Sequence, residues 1–591
     1  MDVLKTVREI MAREGINIYI ADTFDPHGNE YVNDYFKVRE LLTGFTGSNG
    51  IAVIFADEAY LWTDGRYFIQ AESELYPGYT LMKAGMPGVM TVFSFIEKRL
   101  KKGTVISYDG SMLSLSKALE LKKIADKKKA VIKEFDLVKD TSLVRSKINY
   151  KKIFLLDSCY AGISYIKKIQ NVRKKMKAEG TDCLVISKLD EIMWLLNIRG
   201  ADIECNPVAY SYLLVTKDLC RLYINKCALF EKACEYFDIN NIEIADYNDA
   251  LSDIEGFLKK NRFSRVTTDF RYVSGQFMPL TCEYKIINSV SPIELMKAIK
   301  NPVEIKNLKK CYLKDSAVLT RYLHYIKNTP FLNEYEAAQR LDKMRSEIDD
   351  FISLSFPTIS AYGANAAMMH YEADKEHNSV IEDKGLYLVD SGGQYLSGTT
   401  DVTRTVMMGE ISGECKIHFT LTVISMLRLM NLKFISGSTG RNIDVIARAP
   451  FWERGMDYKC GTGHGIGYLL NVHEGPLNIS YGKRKGSKEP KIESGMIVSD
   501  EPGAYIEGRY GIRIENILLA KKYRSTDDGD FLCFEPLTYV PIDLDAIDIS
   551  VMEKKDIENL NNYHKAVYRK LKPFFDKNEL VWLKEATKNI G

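Results

Sequence analysis

The run Leu386-Tyr387-Leu388-Val389-Asp390-Ser391-Gly392-Gly393-Gln394, followed by Asp401 and then Val402-Thr403-Arg404-Thr405-Val406-Met407, decides how this chain is to be read. A strand-like run delivers Asp390 to a turn of one serine and two glycines. A second strand-like run begins directly after Asp401, eleven residues past Asp390. Two antiparallel strands joined by that loop bring both carboxylates to the same end of a sheet.

A second acid-bearing stretch reads as another hairpin: Gly495-Met496-Ile497-Val498-Ser499-Asp500-Glu501-Pro502, then residues 506–510, then Gly511-Ile512-Arg513-Ile514-Glu515. Side chains alternate along a strand, so Ile512 and Ile514 face one way while Arg513 and Glu515 face the other. Between the two pairs lies His464, in Gly461-Thr462-Gly463-His464-Gly465-Ile466-Gly467. Glycines on both sides let the backbone approach another group closely. The segment fails the Gly-x-Gly-x-x-Gly spacing of a dinucleotide loop, and no buried strand precedes it.

Taken singly, Asp390 reads as a turn residue, Glu515 as an exposed strand charge and His464 as a loop histidine. The joint pattern differs. Four carboxylates and one imidazole, each at a strand end or glycine turn, suit two hard or borderline divalent cations. Buried together without metal, four like charges would suppress one another's ionisation at high cost.

The chain has 591 residues, too long for one hydrophobic core. Its 81 Lys and Arg nearly balance 79 Asp and Glu, which points away from nucleic acid and anionic membranes. No stretch approaches the ~18 uninterrupted apolar residues of a membrane span. The first residues carry charges where a signal peptide needs an apolar run, and the eleven cysteines include no Cys-x-x-Cys pair. Together these predict reduced thiols in the cytoplasm.

Two stretches resemble each other across 165 positions. Val7-Arg8-Glu9-Ile10-Met11-Ala12-Arg13-Glu14-Gly15 leads into residues 16–21, and Val172-Arg173-Lys174-Lys175-Met176-Lys177-Ala178-Glu179-Gly180 leads into Cys183-Leu184-Val185-Ile186. Each predicts an amphipathic helix, a glycine stop and a buried strand, so a whole α/β domain is duplicated. Residues 117–129 predict a charged helix near the end of the first copy, and residues 286–292 close the second. Helices then open a third region, and further helices fill the tail from about residue 552.

The motifs Asp390-Ser391-Gly392-Gly393-Gln394-Tyr395, Gly398-Thr399-Thr400-Asp401-Val402-Thr403-Arg404-Thr405, Gly461-Thr462-Gly463-His464-Gly465, Asn471-Val472-His473-Glu474-Gly475-Pro476, Glu501-Pro502-Gly503 and Gly511-Ile512-Arg513-Ile514-Glu515-Asn516 resemble those of the Xaa-Pro aminopeptidases, within the "pita-bread" metallopeptidases. Leu41-Leu42-Thr43-Gly44-Phe45, Leu61-Trp62-Thr63-Asp64-Gly65-Arg66-Tyr67 and Trp582-Leu583-Lys584-Glu585-Ala586-Thr587 extend the likeness to the long, three-domain form over nearly the whole chain. The resemblance implies an α/β (α+β) fold with two creatinase-like domains at residues 1–155 and 156–292. A pita-bread catalytic domain follows at 293–591, with a C-terminal extension from about 535.

It also implies that Asp390, Asp401, His464, Glu501 and Glu515 hold two divalent metal ions, manganese first, with cobalt or zinc as alternatives. His370, His473, Arg513 and Tyr505 then shape the substrate site, and a homodimer is expected. At Cys460 the sequence departs from the family pattern, in which several relatives carry a histidine.

The expected reaction is hydrolysis of the N-terminal Xaa-Pro bond of peptides with proline at position 2. Two cations sharing one water lower its pKa and present hydroxide to the carbonyl carbon. Glu501 takes and returns the proton, His473 donates to the oxyanion, and His370 assists at the same centre. The competing readings are a prolidase acting on Xaa-Pro dipeptides and a non-catalytic binding protein of the same fold.

Overall fold

In the computed structural model, which describes residues 2–139, 143–239, 241–329, 331–482 and 489–591, both repeated stretches fold as helix, glycine stop and strand. The Asp2 carboxylate caps helix Val3–Glu14 by accepting from Lys5 N–H, and the Ser164 hydroxyl caps helix Tyr165–Glu179 by accepting from Lys167 N–H. Gly15 and Gly180 end them in the left-handed region, each at φ 67°, where a Cβ would be strained. The strands that follow, Ile18–Asp22 and Cys183–Ile186, are buried at every position, as their apolar runs require, with Asp22 at the end of the first paired to Lys117.

The chain divides into two units, Met1–Asp157 with Ile163–Glu294, and Ser158–Gly162 with Leu295–Gly591. The first contains two six-stranded sheets. One runs Tyr79–Lys83, Ala59–Thr63, Ile51–Phe55, Ile18–Asp22, Val105–Tyr108, Val131–Glu134. The other runs Glu243–Asp246, Cys220–Ile224, Ser211–Thr216, Cys183–Ile186, Val266–Thr268, Ile287–Asn288. Neighbours pair parallel, antiparallel, antiparallel, parallel, parallel in both sheets. Matching order and matching sense bear out the duplication. The charged stretch near residue 117 is the helix Leu115–Lys128.

In the second unit, helix Pro302–Lys327 starts from a capping box in which Asn301 and Glu304 satisfy each other's backbone N–H groups. Helix Gly413–Met430 is apolar on nearly every face and accordingly lies in the core, where Phe419, Val423, Met426 and Leu427 pack against Val498, Leu518 and Ile512. A six-stranded antiparallel sheet runs Lys433–Ile435, Gly529–Pro536, Asn516–Thr526, Ile497–Asp500, Gly463–Gly465, Glu474–Ile479. Beside it, Ile359–Tyr362, Leu386–Ser391 and Val402–Met407 form a three-stranded sheet. The tail folds as helices Lys554–Leu571 and Lys577–Ala586.

The wholly buried Arg404 ties that tail to the sheet. Its guanidinium donates to the carbonyls of Pro541 (3.0 Å), Val540 (2.8 Å) and Glu515, to Asn516 Oδ1 (2.8 Å) and to the Tyr563 hydroxyl (2.9 Å).

One expectation needs correction. Residues 495–515 do not make a single hairpin. Ile497–Asp500 pairs with Asn516–Thr526, while Gly503–Ile506 pairs with Tyr510–Arg513 in a separate two-stranded ribbon. Pro502 has no N–H for the ladder, so the chain leaves the large sheet at Glu501 and rejoins it at Asn516. The Asp500–Asn516 pairing therefore sets Glu501 and Glu515 at the same sheet end.

Candidate metal centre

In the first hairpin Asp390 lies opposite Thr403 and Ser391 opposite Val402, so Asp401 follows directly at the ladder's end, beside Asp390. The second departure point supplies Glu501 and Glu515, and the short strand Gly463–Gly465 supplies His464. One ligand atom each from Asp401, His464 and Glu515 lie within 4.8 Å of one another. His464 Nε2 stands 3.2 Å from Glu501 Oε1 and 3.6 Å from Asp401 Oδ2. Asp390 Oδ2 accepts from Arg513 Nη2 at 2.6 Å.

The glycines flanking His464 are steric requirements. A Cβ on Gly463 would overlap the Ser499 carbonyl, and one on Gly465 would overlap the Glu474 carbonyl. This close approach lets the Ser499 hydroxyl accept from His464 N–H (2.9 Å) and donate to Glu501 Oε1 (3.0 Å). On the other side, Thr403 Oγ1 accepts from Arg513 Nε (3.1 Å) and donates to Glu515 Oε2 (2.9 Å). Arg513 and Glu515 thus reach one hydroxyl, which bears out their common face.

Electrostatically the cluster is unbalanced. Burial, then the charges of Asp390 and Glu501, push the Asp401 carboxyl well above its ordinary range. Burial, then Asp401, Asp390 and Glu501, do the same to Glu515. Burial also pushes Glu501 upward, but the His464 hydrogen bond and charge, with Arg513 and His473, outweigh it and hold Glu501 below the usual range. Asp390 Oδ1 and Glu515 Oε1 are buried with no hydrogen-bond partner.

These features fit divalent cations. The orphaned oxygens, the crowded acids and a hard-oxygen-plus-imidazole donor set all need positive charge. His464 is already oriented for it. Its Nδ1–H donates to the Gly465 carbonyl at 2.9 Å, which directs Nε2 at the carboxylates.

The other expected residues surround this cluster to different degrees. The His473 ring stands perpendicular to that of His464, with centroids 4.3 Å apart. The Tyr505 hydroxyl accepts from Arg513 Nη1 at 2.9 Å, and burial keeps that phenol neutral. His370 lies half-buried in the turn after residues 363–367, next to Met369, whose carbonyl accepts from Arg513 Nη2 at 3.3 Å. Burial, then the Glu501 charge, push the Cys460 thiol up to about 12, so it stays protonated.

Sequence reasoning assigned no role to Thr403 or Ser499. Both are polar residues at buried strand positions, and that was the available signal.

An antiparallel-sheet body with this acid-and-imidazole cluster belongs to the class of dinuclear metallohydrolases with the pita-bread fold. The sequence matches Metallopeptidase family M24 over residues 306–522 and the C-terminal region of peptidase M24 over 530–590. It matches the Creatinase/Prolidase N-terminal domain twice, over residues 4–138 and 144–304.

A probable Xaa-Pro aminopeptidase P of Coprinopsis cinerea is 37% identical, with 99% of this chain and 98% of that protein covered. Aminopeptidase P1 of Arabidopsis thaliana is 34% identical over 100% and 99% of the two chains. The crystal structure of X-prolyl aminopeptidase from Caenorhabditis elegans, described as a cytosolic enzyme with a di-nuclear active site, superposes with a TM-score of 0.95 at 33% identity. It covers 100% of this chain and 99% of that one. The chain belongs to the Xaa-Pro aminopeptidase P family.

Proposed function

We propose that this protein is a metal-dependent aminopeptidase that hydrolyses the N-terminal Xaa-Pro bond of peptides, with two divalent ions held by Asp390, Asp401, His464, Glu501 and Glu515. The observation that carries this is the convergence of the five side chains, with Asp390 Oδ1 and Glu515 Oε1 buried and unsatisfied. Relatives named as Xaa-Pro aminopeptidases span the whole chain, which favours this reading over a dipeptidase. Manganese suits the carboxylate-rich donor set.

When bound, the ions polarise the scissile carbonyl and acidify the attacking water. The protein's own groups do the rest. Glu501, steadied by the Ser499 hydroxyl, accepts the water's proton and passes it to the proline nitrogen as the C–N bond breaks. His473 donates a hydrogen bond to the oxyanion, an effect typically worth ~3–4 kcal/mol for one donor. Arg513 fixes Asp390 on one side and Tyr505 on the other, and His370 completes the substrate site. The Xaa-Pro bond is a tertiary amide, so its recognition cannot depend on a scissile N–H.

We assign creatinase-like domains to residues 1–155 and 156–292 and the catalytic domain to 293–591, which the two six-stranded sheets support. A homodimer and a cytoplasmic location complete the reading. The cytosolic C. elegans relative supports the location, and among the described residues no helix is long and apolar enough to cross a membrane.

Asp401→Ala and His464→Ala proteins, folded by circular dichroism, are expected to lose hydrolysis of Arg-Pro-Pro. Near-normal turnover in either would refute the assignment.

A further inference from the structure

Lys297, Lys300 and Glu474 form a buried ionic cluster that the proposed reaction leaves unused. Lys297 Nζ donates to Glu474 Oε2 at 2.8 Å, and Lys300 Nζ donates to Glu474 Oε1. The three side chains are 0%, 1% and 2% exposed. Lys300 Nζ also donates to the Lys297 carbonyl at 3.0 Å.

Stability alone does not account for such a group. A buried ion pair is often matched or bettered by apolar side chains of the same volume. What two ammoniums on two oxygens provide, and apolar packing does not, is a single orientation of the carboxylate.

That orientation matters because of where Glu474 sits. It follows His473 directly, and the His473 ring lies 4.3 Å from that of His464. Glu474 pairs with Gly465, against which its carbonyl is packed. The lysine segment is itself anchored. Lys300 N–H donates to the Gly495 carbonyl at 2.9 Å, and Ile299 bridges Met496 at the root of the strand leading to Glu501.

The geometry points to Glu474 as a positioning residue: clamped by Lys297 and Lys300, it fixes the backbone at residues 473–474 and so aims the His473 imidazole at the reacting carbonyl. This rests on the proposed role of His473.

The test is a double-mutant cycle on manganese-loaded protein with an Xaa-Pro-Pro peptide. Lys300→Met is expected to lower kcat about tenfold while KM and bound metal stay unchanged, the scale of loss seen when a supporting hydrogen bond is removed from a metal site. In a His473→Ala background the same change is expected to cost nothing further. Equal losses in both backgrounds, or no loss in the wild-type background, overturn the inference while leaving His473 in place. If His473→Ala itself leaves kcat intact, the reading of that histidine fails and takes the inference with it. Glu474→Gln, run through the same cycle, carries the test should Lys300→Met not fold, and thermal melts of every variant establish that it has folded.

Discussion

Replacing Thr403 by valine tests the site through a residue that would touch neither metal nor substrate. Its hydroxyl makes two bonds at once, accepting from Arg513 Nε at 3.1 Å and donating to Glu515 Oε2 at 2.9 Å. Valine has nearly the same shape, so no cavity opens and the loss is electrostatic. Hydrogen bonds to charged groups contribute roughly 1.5–3 kcal/mol each, which sets an upper bound of about 3–6 kcal/mol for the pair. Arg513 retains bonds to Asp390, Tyr505 and Met369, so the expected destabilisation of the metal-free protein is roughly 2–4 kcal/mol. Glu515 is then free to rotate, and Mn2+ affinity should fall about 10–100-fold, equivalent to roughly 1.4–2.7 kcal/mol. Urea unfolding with chelator present reads the first quantity, and calorimetric titration with Mn2+ reads the second. Thr403→Ser keeps the hydroxyl and should approach wild type in both. Wild-type affinity and stability in Thr403→Val would refute the bridging argument.

Two further outcomes follow from the same site. Asp401 and Glu515 sit above their ordinary range in the folded metal-free protein, so the folded state binds more protons than the unfolded one. Their contribution is therefore intact below about pH 4 and is lost as pH rises through the carboxylate range and beyond. In chelator, the Tm of the wild type relative to an Asp401→Asn, Glu515→Gln variant should fall over that window, because only the wild type carries the two titrating carboxyls; a difference that does not change with pH, or that grows in the wild type's favour as pH rises, would contradict this. Gly465→Ala places a Cβ onto the Glu474 carbonyl, and shifting that strand pair should cost roughly 1–3 kcal/mol and weaken metal binding. An alanine variant with unchanged Tm and metal affinity would show that the approach is not tight.

Much of this architecture is local and was therefore legible. Helix, glycine and apolar strand follow one another directly at residues 3–22 and 165–186, and the paired strands Leu386–Ser391 and Val402–Met407 bring Asp390 and Asp401 together, although the residues between them make a second small hairpin, Gly393–Tyr395 with Gly398–Thr399, in place of the simple turn expected. The partner of Ile497–Asp500 was not legible, because pairing across the Pro502 excursion depends on the whole sheet. Thr403 and Ser499 were overlooked because threonine and serine in a strand are ordinary residues until their hydroxyls are seen between charged groups. His370 was named from the family resemblance alone, since a histidine between Met369 and Tyr371 carries no signal of its own in the sequence.

Arg404 carries a consequence for anyone trimming this enzyme. One guanidinium joins Glu515's own carbonyl to the Tyr563 hydroxyl, so helix Lys554–Leu571 is wired to the backbone of the candidate metal cluster. A minimal version ending near residue 535 would strand a buried charge with part of its coordination missing. Such a truncation should be planned as the removal of a structural wall, not of an appendage.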